Sequence, residues 1–487
     1  MINAVPGAFG QSGGDTINHS DTMSRLSRRS FLAAGAALLA KPALGAAPAA
    51  SDVDVVIIGA GAAGIAAARR VAAAKQRFVV IEAADHVGGR CVTDTRTFGV
   101  PFDRGAHWIH QPDVNPLLKP AAPAGIDVYP APRGQSVRVG PRNARDAELE
   151  IFLSSLVRSH RAIADAARAK TDVAAAALPR DLGDWQGTIE FILGPYGCGK
   201  DLKGVSAMDL ARASERDAAA FCRQGYGALL ARLAADLPVR LSTPVTRIAW
   251  DRSLEVETAK GRLSPRAIIV TVSTNVLTAD KIEFSPALSK RQLDAAAKLA
   301  LGSFDHIALD MPGNPLGLQR DDLVFEQAAG ARTAALLANM SGTSLHLVEV
   351  AGSFGRALAA QGEAAMIDFA GDWLATLFGS DVKRAIKRGH ATRWNDEPWV
   401  LGAMSAAVPG NADARKVLME PLGGRIWFAG EAAHETQWGT VGGAWESGTR
   451  AAEAALRRIG ALKEPDEDRP ARRSRERPRR RRRGEDD

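Results

Sequence analysis

The 487-residue chain holds three cysteines, Cys91, Cys198 and Cys222, scattered without any metal-ligand spacing. This excludes a disulfide framework and a cysteine-built metal centre, and the odd number leaves at least one free thiol. No apolar run is long enough for a stable membrane span. No repeat of roughly 20 to 50 residues recurs along the chain. The body also lacks net charge. The formal +7 sits at the ends, where residues 469–483 alone hold ten arginines and one glutamate, while residues 51–468 are close to neutral. A near-neutral body gives no case for a specific nucleic-acid groove.

The two ends differ from the body in kind. Residues 461–487 form an Arg-rich, Pro-broken, self-repelling tail that is expected to be disordered. Its charge allows non-specific contact with anionic lipid or nucleic acid, and a simply solvated tail fits equally well. Residues 1–50 read as a signal segment. Arg28-Arg29 is followed by Phe31-Leu32, a short Ala/Leu-rich run, and small residues from Ala43 to Ala50. This resembles a twin-arginine export signal, with Met23 as an alternative start. It implies the twin-arginine export machinery as a partner and a periplasmic or exported protein, with the cytoplasm as the alternative. That route carries folded proteins.

The most informative segment begins at residue 53. Val53 to Ile58 is a short, β-branched apolar run that reads as a buried parallel strand. GAGAAG follows, with Gly59, Gly61, Ala63 and Gly64, and then an Ala-rich helical stretch. Gly59 allows the tight turn, Gly61 lets the backbone approach a pyrophosphate, and Gly64 lets helix and strand pack closely. The helix N-terminus then offers unpaired N–H groups to the phosphates. A second apolar run, Phe78 to Ile81, ends in Glu82, placed to accept hydrogen bonds from an adenosine ribose. This unit binds a dinucleotide and does not separate NAD from FAD. Gly88-Gly89-Arg90 follows closely and brings an arginine that can reach the pyrophosphate from the other side.

Further along, residues 141–180 read as helices, and 224–250 as a glycine turn, an amphipathic helix and a strand pair. Residues 267–272 and 301–311 read as strands, 363–378 as a helix, and 424–430 as a strand. Residues 442–457 read as a glycine turn into a helix. Gly194 to Lys200, GPYGCGK, imitates a phosphate-binding loop, but Asp201 replaces the magnesium-binding Ser or Thr and Pro195 stiffens the loop, so triphosphate binding is rejected.

With both ends read, the chain resembles the flavin-containing amine oxidase superfamily from about residue 51 to 458. The resemblance rests on GAGAAG with Glu82, GGR at 88–90, GAHWIH at 105–110 and GYGALLARLAADLPVRLSTPVTRI at 225–248. It continues with RWNDEPWVLGAMS at 393–405, FAGEAAH at 428–434 and GTVGGAWESGTRAA at 439–452. It implies an α/β fold: a Rossmann-like FAD-binding domain assembled from separated segments, with an inserted α+β substrate domain. The expected FAD segments are 51–140, 216–275 and 396–460, and the expected substrate-domain segments are 141–215, largely helical, and 276–395.

The resemblance also implies roles. Glu82 holds the ribose and Gly89 and Arg90 lie at the phosphates. Gly105, Ala106, His107 and Trp108 line the cofactor, with His107 facing the pocket in front of the flavin. Val245 packs near the adenine through its backbone. Trp394 lies against the isoalloxazine, Gly430 and Glu431 lie near the pyrophosphate and ribityl chain, and Thr440 and Val441 contact the flavin through backbone groups.

Departures from the family pattern fall at the reacting end. Where monoamine oxidases carry a flavin-tethering cysteine this chain has Ala403, so FAD is expected to be non-covalent. Met404 and Thr440 occupy the positions of the two substrate-framing rings, leaving Trp438 as a candidate wall. His306 stands where the family has a lysine that holds a water near flavin N5; a neutral imidazole can hold a water too.

The implied reaction is hydride transfer from the carbon beside a neutral amine nitrogen to the flavin, then imine hydrolysis and reoxidation by dioxygen, with a polyamine or primary amine as substrate. An L-amino acid oxidase, with Arg223 or Arg393 as carboxylate ligand, a desaturase or porphyrinogen-type oxidase, and a flavoprotein with weak or lost catalysis stay open.

Overall fold

The apolar run before the glycine motif forms a strand, Val55–Ile58, with all four side chains buried. It is apolar on both faces because it lies in the middle of a five-stranded parallel sheet. The spatial order is Val239–Arg240, Phe78–Ile81, Val55–Ile58, Ala267–Val270, Ile426–Phe428. Every pairing is parallel, and the register sets Ile58 beside Ile81 and Val270, so the three central strands end together. Alternate side chains serve opposite cores. Val55 and Ile57 face the helices Ala62–Ala73 and Val441–Arg458. Val56 and Ile58 face a four-stranded sheet that includes Val245–Ala249 and Glu283–Ser285. Residues 53–132, 135–214 and 219–463 are described by this computed structural model; the twin-arginine segment and the Arg-rich tail beyond residue 463 lie outside them, while Ala461 and Leu462, expected in the disordered tail, pack against the core.

Two glycines set how closely these layers approach. A Cβ on Gly64 would stand 1.9 Å from the Gly59 carbonyl oxygen, and one on Gly448 would stand 2.0 Å from the Ala63 carbonyl oxygen. The first fixes helix against strand and the second fixes the two helices against each other.

A seven-stranded sheet forms the second layer, in the order Arg388–Ala391, Phe304–Asp310, Leu345–Ala351, Ala335–Leu337, Leu323–Glu326, Ser136–Val139, Arg142–Asn143. On one face Ile307, Leu309, Val348 and Val350 pack against the helix Glu363–Phe378. Period-2 alternation sends Phe304, His306 and Glu349 to the other face. Helices from Asp146–Ala166 to Ala207–Arg212 pack beside this sheet around Trp185 and Phe152. The chain enters the seven-stranded sheet at Ser136, before residue 140, and Glu283–Ser285 still pairs with Arg247–Ala249 beyond residue 275. Among the described residues no helix is long and apolar enough to cross a membrane.

Candidate active site

The carboxyl ends of the central strands open into a cavity of about 1800 Å³, lined by both layers. A drug-sized ligand needs roughly 300–1000 Å³, so there is room for a dinucleotide and a second organic molecule. At the first turn Gly59 has φ +103°, a conformation that favours glycine. A Cβ on Gly61 would meet nothing nearer than 3.9 Å, so the space it would fill is the cavity itself. No side chain caps the helix that starts after Gly61, which leaves its first N–H groups for an anion. Glu82 is buried at the cavity wall, where its carboxylate accepts the Ala60 N–H at 2.6 Å and the Ala84 N–H at 2.9 Å. Gly89 closes on Gly61 from the facing turn, with φ +60°. Ala63 and Val245 complete this end of the lining.

Facing the glycine turn, Arg90 Nη1 donates to Glu431 Oε1 at 2.8 Å and to the Ala403 carbonyl oxygen at 2.5 Å. Glu431 also accepts from Ser405 Oγ at 2.7 Å and the Gly439 N–H at 2.9 Å. Burial pushes its carboxyl up, but Arg90, Arg415 and the Ser405 hydroxyl outweigh burial and hold it below the usual carboxylate value. Behind this lies a buried pair, Arg415 and Asp209, bridged at 2.7 and 2.8 Å. Trp438 is fully buried with Arg415 4.6 Å over its ring, so this tryptophan is fastened to the ion pair as well as touching the cavity. Gly430, at φ +136°, donates its N–H to Ser447 Oγ at 2.8 Å and turns the chain into this wall. The Thr440 hydroxyl caps the helix Val441–Arg458 by accepting the Gly443 N–H at 2.9 Å, so only the remainder of Thr440, with Val441, serves the cavity.

The far end of the cavity is aromatic. Trp394 lies against Gly105, where a Cβ would come within 2.8 Å of its ring, and its Nε1 donates to the Arg104 carbonyl oxygen at 2.9 Å. Ala106, Trp108 and Met404 line the same space. His107 Nδ1 donates to Asp103 Oδ2 at 2.9 Å, and its ring stacks on Phe221 at 4.5 Å, which leaves its buried Nε2 without a hydrogen bond. His306 Nδ1 donates to the Asp103 carbonyl oxygen at 3.0 Å, and Nε2 stands 3.4 Å from Glu349 Oε1. Burial disfavours a charged ring, yet Glu349, the Asp103 carbonyl and Asp305 outweigh it and raise the His306 pKa above the ordinary value. Both ring nitrogens thus face oxygen acceptors, at 3.0 and 3.4 Å.

Several lining residues went unread in the sequence. Tyr196, Phe304 and Phe325 form an aromatic wall, with ring centroids 5.7 Å (Tyr196–Phe304) and 5.2 Å (Tyr196–Phe325) apart. The two expected cage positions hold no rings, but rings do reach the cavity from another strand and from the π-helical turn Ile192–Tyr196 inside the rejected phosphate-loop imitation. Lys200, from the same imitation, donates to the Ala406 carbonyl oxygen at 2.7 Å, and burial pulls its pKa down to about 8. Arg223 and Arg393 are absent from the cavity lining and pair instead with Asp127 and Asp396. Neither can receive a substrate carboxylate there.

Comparison with known proteins agrees with this geometry. Residues 62–456 match the family model for flavin containing amine oxidoreductase. The chain is 26% identical over 436 residues to the human lysine-specific histone demethylase 2, covering 82% of this chain and 53% of that protein. It is 26% identical over 445 residues to polyamine oxidase 4 of Oryza sativa subsp. japonica, covering 84% of this chain and 90% of that protein. The chain thus spans about half the length of the histone demethylase and most of the polyamine oxidase. Among solved structures, cyclohexylamine oxidase from Brevibacterium oxydans IH-35A superposes with TM-score 0.72 at 23% identity, covering 84% of this chain and 100% of that one. Putrescine oxidase bound to putrescine superposes with TM-score 0.70 at 19% identity, covering 83% and 99%. The cofactor is FAD, and Ala403 offers no atom to tether it, so it is held non-covalently. The glycine turn, the Arg90–Glu431 wall and this match over most of the length place the chain in the flavin-containing amine oxidoreductase family.

Proposed function

We propose that the chain is an FAD-dependent amine oxidase acting on a polyamine or primary amine. The observation that carries this reading is one continuous cavity joining the dinucleotide cradle to the aromatic end around Trp394, Tyr196 and His306. Glu82 holds the adenosine ribose, the helix after Gly61 and Arg90 hold the pyrophosphate, and Val245 backs the adenine. Glu431 fixes the Arg90 guanidinium beside the phosphates. Trp394, wedged on Gly105, supports the ring system, and the start of the helix at Val441 turns its N–H groups toward that ring. Gly89, Ala106, Trp108 and Gly430 complete the bed.

When bound, FAD supplies the hydride acceptor. The chain's own work is to orient and to exclude water. Met404, Phe304, Phe325 and Tyr196 hold the substrate's carbon chain in a dry space, which favours the neutral amine that must present its C–H bond. His107 and His306 are the imidazole rings at that end. The imine product takes up water to give a carbonyl compound and ammonia or a smaller amine, and dioxygen takes the electron pair as hydrogen peroxide. The test is anaerobic addition of polyamines, monoamines and L-amino acids to the FAD-loaded protein. The reading expects bleaching of the flavin absorbance by at least one amine and peroxide release in air. No bleaching with any amine refutes it. Arg223 and Arg393, the arginines named for a substrate carboxylate, pair with Asp127 and Asp396 outside the lining.

Export by the twin-arginine route, with the mature protein in the periplasm, is part of the same proposal and rests on Arg28-Arg29 and the apolar run behind them. Residues 1–50 fused to a folded reporter should direct its export. Replacing both arginines by lysine should abolish it, and export that survives refutes this part.

A further inference from the structure

The oxidation chemistry leaves Glu349 without a role. Glu349 lies on Leu345–Ala351, directly across from His306 on Phe304–Asp310, and both side chains point to the cavity face. Glu349 is 0% exposed, and neither of its carboxylate oxygens has a hydrogen bond of good geometry, although the Tyr196 hydroxyl and His306 Nε2 both face it. Among the described residues, the one side chain within ion-pair distance of it is His306, with Nε2 3.4 Å from Oε1. On the other side of the ring, Nδ1 lies 3.0 Å from the Asp103 carbonyl oxygen. A carbonyl oxygen can only accept, so Nδ1 carries a hydrogen. With Glu349 ionised, a neutral ring would then turn the bare Nε2 lone pair toward a buried carboxylate, two acceptors with no proton between them; a neutral ring facing a protonated Glu349 is the alternative that the titration below separates. One proton on Nε2 removes that repulsion and gives the buried carboxylate its counter-charge.

Nothing else nearby supplies that charge. Tyr196 faces the carboxylate with a neutral hydroxyl, its pKa pushed well above the usual value by burial and then by Glu349. Asp305 points to the opposite face of the strand, where the Trp394 N–H and the Thr392 hydroxyl donate to it. The Asp103 carboxylate is taken up by His107 and the Tyr226 N–H. From the neighbouring strand, Arg388 and His390 are paired with Asp310 and Glu363.

We propose that Glu349 is a positioning residue that keeps His306 doubly protonated, so that an imidazolium stands at the reacting end of the cavity. Its use rests on the amine-oxidase reading above, but its test does not. A cation fixed in a dry site favours negative charge developing beside it and disfavours a second cation, so it selects the neutral form of an incoming amine.

The experiment is nitrogen NMR of the FAD-loaded protein labelled with ¹⁵N-histidine, without substrate, with His306 assigned from the His306→Gln variant. At about pH 7, above the ordinary histidine value of ~6.5, both His306 nitrogens should be protonated. In Glu349→Gln the ring should be the neutral Nδ1–H form at that pH, with its midpoint lowered by at least about one pH unit, a tenfold loss of proton affinity. Glu349→Asp should restore the imidazolium. A neutral His306 in the wild-type protein, or an unchanged midpoint in Glu349→Gln, overturns the proposal. If Glu349→Gln does not fold, the wild-type titration decides alone. Because no amine is present, the result is separate from whether amines bleach the flavin.

Discussion

Replacing Arg415 by methionine should destabilise the FAD-saturated protein by about 3–5 kcal/mol. The guanidinium is 1% exposed. It donates to both Asp209 oxygens at 2.7 and 2.8 Å, to Ser405 Oγ at 3.0 Å and to the Ala432 carbonyl oxygen at 3.1 Å. Methionine refills much of the volume, so little of the loss comes from a cavity. The loss comes from Asp209, 0% exposed, which keeps the Ala407 N–H at 2.9 Å but loses its counter-ion. Two charge-assisted hydrogen bonds at roughly 1.5–3 kcal/mol each give the same scale. The assay is urea unfolding followed by fluorescence and far-ultraviolet circular dichroism, compared at a shared slope. Adding Asp209→Asn removes the stranded charge and leaves an oxygen for the Ala407 N–H. The double variant should therefore recover about 2 kcal/mol or more of the loss. A single-variant loss below about 1 kcal/mol, or strict additivity in the double, would refute the reasoning, since both follow from one uncompensated buried charge.

Three further outcomes follow from particular contacts. Gly61→Val should fold with a near-wild-type melting curve as apoprotein but purify without flavin, because its side chain enters the cavity and not the protein; a normal flavin-to-protein absorbance ratio would contradict this. Gly448→Ala should cost about 1–3 kcal/mol by prising apart the helices Ala62–Ala73 and Val441–Arg458, read as a lowered melting temperature, and an unchanged one would show that the backbones can yield. Asp305 has its pKa pushed up to about 6 by burial, against the Trp394 N–H and Thr392 hydroxyl. A raised folded pKa means that stability present below the unfolded value of ~3.9 is lost as pH rises through about 6. Asp305→Asn should therefore gain on the order of 1–3 kcal/mol near pH 7.5 and nothing near pH 4, measured by urea unfolding at both; an equal gain at both pH values would rule out this cause.

The glycine turn was legible because each of its parts is local. A β-branched run, three glycines in fixed spacing and an acid at the next strand end lie within 30 residues and require one backbone path. The helix Tyr226–Ala234 and the strands Ala267–Val270 and Phe304–Asp310 followed from periodicity in the same way. Non-local partnerships left no such mark. Asp209 meets Arg415 across 206 positions, and Glu349 meets His306 through the register of two antiparallel strands. A one-residue slip there would send either side chain to the other face, and nothing within either strand announces the register. Tyr196 was hidden differently, because a glycine-rich turn that imitates a phosphate loop drew attention to its glycines and away from its ring.

The five strands of the cofactor sheet come from places as distant as Val55 and Phe428. On the ribosome this imposes an order of events. At about 5–20 residues per second, the last strand emerges roughly 20–75 seconds after the first. The helix that closes over the glycine turn, Val441–Arg458, comes later still. Until then the turn protrudes from a sheet without its edge and without its cover. Such long-range pairings also make folding slow, since chain-closure entropy must be met before the contacts form. A complete cradle for the flavin therefore exists only once residues 426–458 have joined residues 55–82.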